Sequence, residues 1–587
     1  MRKFFSRHNL LFSIANFNFI LIGVIFSLLI NLPAVAQDFI QMGPTGRPGD
    51  RRPPVLEEKK TLGPPPELTL PKPPVPKEKE DGELPLVSVS IRKIVVTGST
   101  VFTSEELGRI TKPYENRVIT NEDLEQLRQE LTRYYIQAGY FTSGAIIPDQ
   151  TVVDGVVRFH IIEGKLKNID VGGNKWLRKG YIKKRIGLGA APPLNINTLQ
   201  ERLQIFQLNP RIQMLNAELK PGIALGESDL KVKVKEALPF RIWTGVDNYL
   251  TNSVGPEQIQ VSVADLSLTG NGDILSFTWG YAEGLHPKID VSYSFPFTAR
   301  DSTVYLRYRK NDFDVVREPF DELDIETDSD IYTIGLSHPF YQSPSQEFVV
   351  SLIGDHAKQK TTLLNMPFSL EPGAEDGEVK VSALRFAQEY TYRSRSQVIS
   401  GRSQFSLGTH ALDATSRGSG LPDGQFFKWL GQFQWVKRFK PWDIQGILRT
   451  DFQFSADPLV SLEQFPIGGR YTVRGYPQNI LVRDNAVIAS LEFRIPIVRD
   501  KSWADYLQIV PFFDFGWGDN TDFPTPEPGN ISSVGLGLKW AMTLPLPYRL
   551  KPQFEIFWGK KLRSIEGDEG NNLVDKGIQF QFAIAGL

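Results

Sequence analysis

From Phe240 to the C-terminal residues, apolar and polar side chains alternate with a period of two, and clusters of Gly, Pro, Asn and Asp break the alternation. The pattern predicts sixteen strands, near 240–247, 258–268, 273–283, 288–297, 302–310, 331–340, 347–356, 379–393, 397–408, 425–438, 442–455, 486–497, 508–518, 532–542, 550–560 and 577–585. Alternation also assigns faces. In the last segment Ile578, Phe580, Phe582 and Ile584 share one side, and Gln579, Gln581 and Ala583 the other. In the tenth, Phe427, Trp429, Phe433 and Trp435 oppose Gln432 and Gln434; in the fifth, Val304, Leu306 and Tyr308 oppose Arg307 and Arg309. A strand of about ten residues crosses a bilayer when tilted, and an even number of strands closes into a barrel with lipid-facing and lumen-facing positions. Residues 239–587 are therefore expected to form a sixteen-stranded antiparallel transmembrane β-barrel, wide enough to hold water.

Upstream the period changes and one unit occurs twice. The first copy opens on a strand, Ile91 to Val96, with a turn at Gly98. Thr103 followed by Glu106 has the spacing of a capping box and starts a helix. A second helix runs from Asn121 to about Gln137, with Leu124, Leu127, Leu131 and Tyr135 on one face. Strands near 143–147 and 156–162 complete a β-α-α-β-β order. The second copy repeats it: strand 166–171, turn Gly172-Gly173-Asn174, helices near 181–186 and 198–208, and strands near 214–219 and 229–234. These are two α+β domains, 88–164 and 165–238.

Residues 37–87 carry twelve prolines, including Pro64-Pro65-Pro66, among many Lys and Glu. Such a segment cannot bury a core and is expected to be a disordered, extended periplasmic tether. Residues 1–36 read as a cleaved secretory signal: Arg2, Lys3 and Arg7, an apolar run from Leu10 to Leu32, then Ala34-Val35-Ala36.

Composition narrows the function. The net charge of −1 supplies no field for nucleic acid. With no cysteine there is neither a disulfide framework nor a thiolate metal site. His8, His160, His286, His338, His356 and His410 lack metal-ligand spacing, and no G-x-S-x-G or P-loop string occurs. The reading is a transporter, not an enzyme, with no metal, cofactor, nucleotide or nucleic acid. The acidic residues Asp321, Glu322, Asp324, Glu326, Asp328 and Asp330 suggest a calcium site by composition, but a solvated extracellular or periplasmic loop is the expectation.

The long Gly-rich loop after the eleventh strand carries Val473-Arg474-Gly475-Tyr476. The thirteenth strand carries Phe512, Asp514 and Gly516 on one parity, and the twelfth carries Glu492 and Arg494; parity turns them into the lumen. If the loop folds inward, Arg474 reaches Asp514 as a charge-assisted pair, with Gly475 allowing a tight turn and Gly516 leaving room.

The duplicated unit, with Ile147-Pro148-Asp149-Gln150 and Ile162-Glu163-Gly164, resembles two POTRA domains. The Val-Arg-Gly-Tyr and Phe-x-Asp-x-Gly strings resemble the two signatures of the ShlB/FhaC-type two-partner secretion transporters, also called TpsB. The resemblance runs from about residue 88 to the end. It implies a Gram-negative outer-membrane pore in contact with lipid. POTRA domains in the periplasm dock an unfolded partner protein, an adhesin or haemolysin of TpsA type, and its folding outside drives export. Barrel-assembly factors share both signatures, but generally with more POTRA units. A small-solute porin is a third reading, in which the repeat has no use. The family typically has an N-terminal plug helix. Here prolines leave only short gaps, such as 55–63, and confine any helix to about two turns.

Overall fold

The structure, a computed structural model, describes residues 67–70, 88–368, 376–417, 420–544, 550–565 and 570–586. The expected signal segment and the gap at 55–63 lie outside the described residues.

The first unit contains β2 (Ser88–Ile91), β3 (Lys93–Thr97), α1 (Ser104–Thr111), β4 (Arg117–Thr120), α2 (Asn121–Gln137), β5 (Gly144–Ile146) and β6 (Val156–Ile162); β1 (Glu67–Thr69) precedes it. Thr103 and Glu106 close the capping box at α1, each side chain bonding the other's backbone N–H. Thr120 and Asp123 do the same at α2. Leu127, Leu131 and Tyr135 are buried along α2, facing Phe159 and Ile161 of β6. Each such side chain contributes roughly 1.5–3 kcal/mol. The expected order lacked β4, which pairs with β2, and the first strand is split at Arg92, whose N–H bonds Gly155.

The second unit comprises β7 (Lys165–Gly172), α3 (Lys179–Gly187), α4 (Ile196–Gln207), β8 (Ile212–Pro221) and β9 (Glu227–Glu236). Its sheet order is β1-β8-β9-β7. The Pro-rich segment thus departs from the disorder expected of it at one point. Glu67–Thr69 runs parallel to β8, opposite Asn216 to Glu218, and Leu68 packs on the second core.

The barrel strands are β10 (Phe240–Asp247), β11 (Gln258–Asp265), β12 (Ile274–Ala282), β13 (Leu285–Pro296), β14 (Thr303–Asp314), β15 (Ile325–Gln342), β16 (Gln346–Leu363), β17 (Glu378–Arg393), β18 (Gln397–Thr409), β19 (Phe427–Phe439), β20 (Ile444–Ser455), β21 (Asn485–Lys501), β22 (Ala504–Asp519), β23 (Asn530–Ala541), β24 (Lys551–Lys561) and β25 (Ile578–Gly586). Each pairs antiparallel with the next, and β10 closes the barrel on β25 with Ile242 opposite Gly586. A closed barrel leaves no unpaired edge in lipid. The outward residues Phe277, Trp279, Ile334, Leu336, Leu384, Phe386 and Phe582 are exposed, as lipid contact requires.

The acidic stretch after Phe320 differs from the expectation. Glu326, Asp328 and Asp330 lie on β15, not in a loop. β15 and β16 each have eighteen residues, more than a crossing needs, so their paired ends project beyond the bilayer and tolerate outward charge.

The second unit docks under the barrel rim. Arg178 donates its N–H to the Gly270 carbonyl (2.8 Å), and Arg185 bonds Asp301 (3.0 Å through Nε) and the Thr298 carbonyl (3.2 Å). Buried Arg211 donates to the Gly272 carbonyl at 2.5 Å and to that of Leu266. Gly272 lies on the Tyr181 ring, where a Cβ would sit 2.5 Å from the hydroxyl.

Candidate functional site

β10 starts at the rim that carries the second unit, and β20, running in the same sense, ends on the opposite side. The loop after it, residues 456–484, starts there and folds back into the lumen. A short hairpin, Phe465–Ile467 with Leu481–Arg483, forms its stem. Gly468, Gly469 and Gly475 all have φ near 100°, the left-handed region that lets the tip turn without side-chain strain. Thr472 Oγ1 bonds both the N–H and the carbonyl of Gly468 at 2.8 Å, closing the turn. Val473 is buried with Ile467, Phe465, Ile488 and Ile531, so the tip has its own small apolar core.

Arg474 stands at the centre. Its Nε donates to Asp514 Oδ2 (2.7 Å) and its Nη2 to Asp514 Oδ1 (2.8 Å), a bidentate fork. Its backbone N–H adds a third bond to the same carboxylate at 3.0 Å. Nη1 donates to Glu492 Oε2 at 2.7 Å, and Nη2 also reaches Ser490 Oγ at 3.1 Å. The guanidinium plane lies 3.8 Å from the Phe512 ring centroid. Arg474 is 2 % exposed, Glu492 3 % and Asp514 fully buried. Charges this deep are stabilised only because each finds its partners; removing one side of such a pair typically costs about 3–5 kcal/mol.

The other residues singled out in the sequence fall around this pair. Arg494 Nε bonds the second Glu492 oxygen at 2.8 Å. The Tyr476 hydroxyl donates to the carbonyls of Ser532 (3.0 Å) and Arg563 (2.7 Å). A Cβ on Gly516 would meet Ile467 Cγ2 at 2.6 Å and Val473 Cγ2 at 2.9 Å, so this glycine makes space for the loop.

Two further anchors were not foreseen. Glu463, early in the loop, bonds Arg385 on β17 through both oxygens (3.0 and 3.1 Å) and Lys428 on β19 (2.9 Å); Arg385 also bonds Asp355 on β16 at 2.6 Å. Arg470 bonds Glu555 on β24 at 2.9 Å, where Lys539 and the Tyr249 hydroxyl converge (2.9 and 2.8 Å). The loop is thus tied to β17 and β19 by one ion cluster, to β21 and β22 by a second and to β24 by a third. Parity marks each wall residue as inward, but only the folded loop shows which are joined.

Known proteins were compared with the chain. The family model described as haemolysin secretion/activation protein ShlB/FhaC/HecB matches residues 226–540, and the ShlB-type POTRA domain matches 89–164. The chain is similar to the outer membrane transporter CdiB of Dickeya dadantii, 24 % identical over 412 residues, covering 68 % of this chain and 71 % of the relative. It is 23 % identical over 454 residues to the hemolysin transporter protein ShlB of Serratia marcescens, covering 74 % and 78 %. Among solved structures, CdiB from Escherichia coli superposes with a TM-score of 0.65 at 20 % identity, covering 87 % of this chain and 92 % of that one. CdiB from Acinetobacter baumannii gives 0.59 at 17 %, covering 89 % and 94 %. At these identities the structures establish a shared fold.

Proposed function

This chain belongs to the haemolysin secretion/activation family ShlB/FhaC/HecB, and on that premise we propose that it is the outer-membrane pore of a two-partner secretion pair. It exports a dedicated partner protein from the periplasm to the surface of a Gram-negative cell. One observation carries the reading: a closed barrel whose lumen is crossed by an ion-paired loop, preceded by two α+β units, the second of which docks under its entry rim.

The steps follow from that arrangement. Residues 88–164 and 165–238 act as two POTRA domains and receive the client as an extended chain, which can add to a sheet edge through its backbone. The lumen wall presents paired charges and amides, among them Gln432, Gln453 and Arg385. Such a wall wets a passing chain without gripping apolar segments. Arg474 and Asp514 hold the loop in its docked position, and passage requires the loop to shift. Folding of the client outside, as a long adhesin or haemolysin, prevents its return and supplies the direction.

The test is comparative proteomics of culture supernatant and outer membrane after deletion of the gene. Loss of one or two large proteins from the supernatant, with the outer membrane unchanged, is the expected result. Depletion of many barrel proteins from the membrane would make the chain an assembly factor instead.

A further inference from the structure

The run Lys175 to Arg185, KWLRKGYIKKR, holds six cations and no acid in eleven residues. It comprises the approach to α3 and most of that helix. Its ends are fixed to neighbouring turns of the barrel's entry rim: Arg178 bonds Gly270 between β11 and β12, and Arg185 bonds Asp301 between β13 and β14. The helix therefore follows the rim, parallel to the membrane plane. Tyr181, Ile182, Arg185 and Ile186 are buried, whereas Lys175, Arg178, Lys179 and Lys184 are exposed. No ion pair among the described residues engages these four exposed cations.

Trp176 gives the run a second, independent character. Its indole is 42 % exposed and meets the Phe240 ring edge-on, with centroids 5.7 Å apart. Phe240 is the first residue of β10 and shares its exposed outer parity with Ile242, which lies opposite Val263. The indole is thus continuous with the lipid-facing wall at its periplasmic end, where Leu238 and Leu268 are also exposed. It is also held there. The N–H groups of Lys175, Trp176 and Leu177 all donate to the Glu236 carboxylate, at 3.0, 2.6 and 3.1 Å. Tryptophan is enriched at the membrane–water interface, where its apolar body and polar N–H both find partners. Lysines and arginines at that depth meet lipid phosphates.

We propose that Lys175 to Lys184 is a membrane-surface anchor: Trp176 seats in the periplasmic leaflet beside Phe240, and Lys175, Arg178, Lys179 and Lys184 bind the phosphates of anionic phospholipids. The leaflet then fixes the second unit's tilt under the pore mouth. This goes beyond the secretion reading, since it concerns lipid and not client.

The chain has no cysteine, so single labels are simple to introduce. An environment-sensitive fluorophore is placed on Lys179→Cys, and on Val118→Cys in the first unit as a reference, in the full-length protein in nanodiscs of phosphatidylethanolamine and phosphatidylglycerol. Doxyl-lipid quenching is expected to be several-fold stronger at 179 than at 118. It should fall to the reference level when Lys175, Arg178 and Lys184 are changed to Glu, with heat-modifiable migration confirming a folded barrel. Equal quenching at the two sites overturns the anchor. Equal quenching in purely zwitterionic nanodiscs overturns the anionic headgroup. Charge reversals that spare lipid quenching but abolish cross-linking of the client from position 179 assign the surface to the client, and the proposal fails.

Discussion

Gly475 and Gly559 meet backbone to backbone: a Cβ on Gly475 would sit 2.6 Å from the Gly559 carbonyl oxygen, and one on Gly559 would sit 2.8 Å from the Gly475 Cα. The loop tip thus rests on the main chain of β24, with no side chain between to give way. Gly559→Ala keeps a strand conformation that alanine accepts, so its effect isolates this contact. Overpacking of this kind costs about 1–3 kcal/mol. That lowers the ratio of docked to undocked loop by roughly five- to 150-fold. Limited proteolysis of residues 456–484 in intact cells should accelerate, and secretion should drop, while barrel folding is retained. Gly475→Ala should be more severe, because φ at Gly475 is +90°.

The bidentate fork from Arg474 to Asp514 makes a sharper prediction. Arg474→Ala leaves Asp514 buried without its cation and Glu492 with Arg494 alone, a loss of about 3–5 kcal/mol for the docked loop. Secretion should be abolished while the sixteen-strand ladder still inserts into the membrane. Arg474→Lys should not rescue it, since an ammonium cannot bond both oxygens of Asp514 and one of Glu492 in the same plane. Quantifying the secreted client against the folded barrel on unheated gels checks both. Wild-type export by either variant would remove the lock from the mechanism.

Glu463 and Arg474 lie in clusters that share no residue, so their effects should add. Glu463→Ala removes the carboxylate that Arg385 and Lys428 share, leaving Arg385 on Asp355 and Lys428 on the Gln453 amide, and should loosen the early loop without undocking its tip. Single-channel recordings in planar bilayers are expected to show more frequent openings for Glu463→Ala and for Arg474→Ala, with the double variant near the sum of the two free-energy changes. Identical traces for Glu463→Ala and wild type would make that cluster a passive filler.

Much of this site was legible before the fold was known, for a simple reason. In a barrel wall, period two is both a structural rule and a compass, so parity alone turns Glu492 and Asp514 toward the lumen. Arg474 needed more: a loop has no parity, and only its small neighbours suggested close approach. The Glu463 contact with Arg385 was beyond reach, because it joins the loop to a strand 78 residues away in sequence. β4 was hidden by its four-residue length and β1 by the prolines on either side. Glu326, Asp328 and Asp330 read as loop in the sequence, whereas they lie on a strand that outruns the lipid.

The first unit should loosen in acid through Glu163. Burial pushes this carboxyl up, but hydrogen bonds from the Thr100 hydroxyl and N–H and the Val101 N–H outweigh it and hold it below the usual range. A lowered folded pKa stabilises the native state above the ordinary glutamate value, about 4.3. That stabilisation is lost as pH falls below it through the folded value. Protection of the Thr100 and Val101 amides, measured as exchange relative to the intrinsic rate at each pH, should therefore fall below about pH 4. Glu163→Gln should show low protection already at neutral pH and no further fall in acid. Unchanged protection at low pH would assign the stability of this turn to other contacts.

The three-residue pairing of β1 with β8 sets the last test. β8 has ten residues, and Glu67–Thr69 covers only Asn216 to Glu218. Pro66 and Pro71, which lack N–H donors, limit how far β1 can extend as a strand. At about 0.5–1.5 kcal/mol net for each hydrogen bond, this self-pairing is weak, and a longer extended segment of the client has more backbone to offer. Leu68 is the one apolar residue of β1 packed on the second core, so Leu68→Asp should release it. Site-specific cross-linking from Met214, which is half-exposed on β8, is then expected to capture client more readily, with an apparent affinity gain of roughly tenfold. Weaker capture after release would mean that β1 supports the docking edge and does not compete for it.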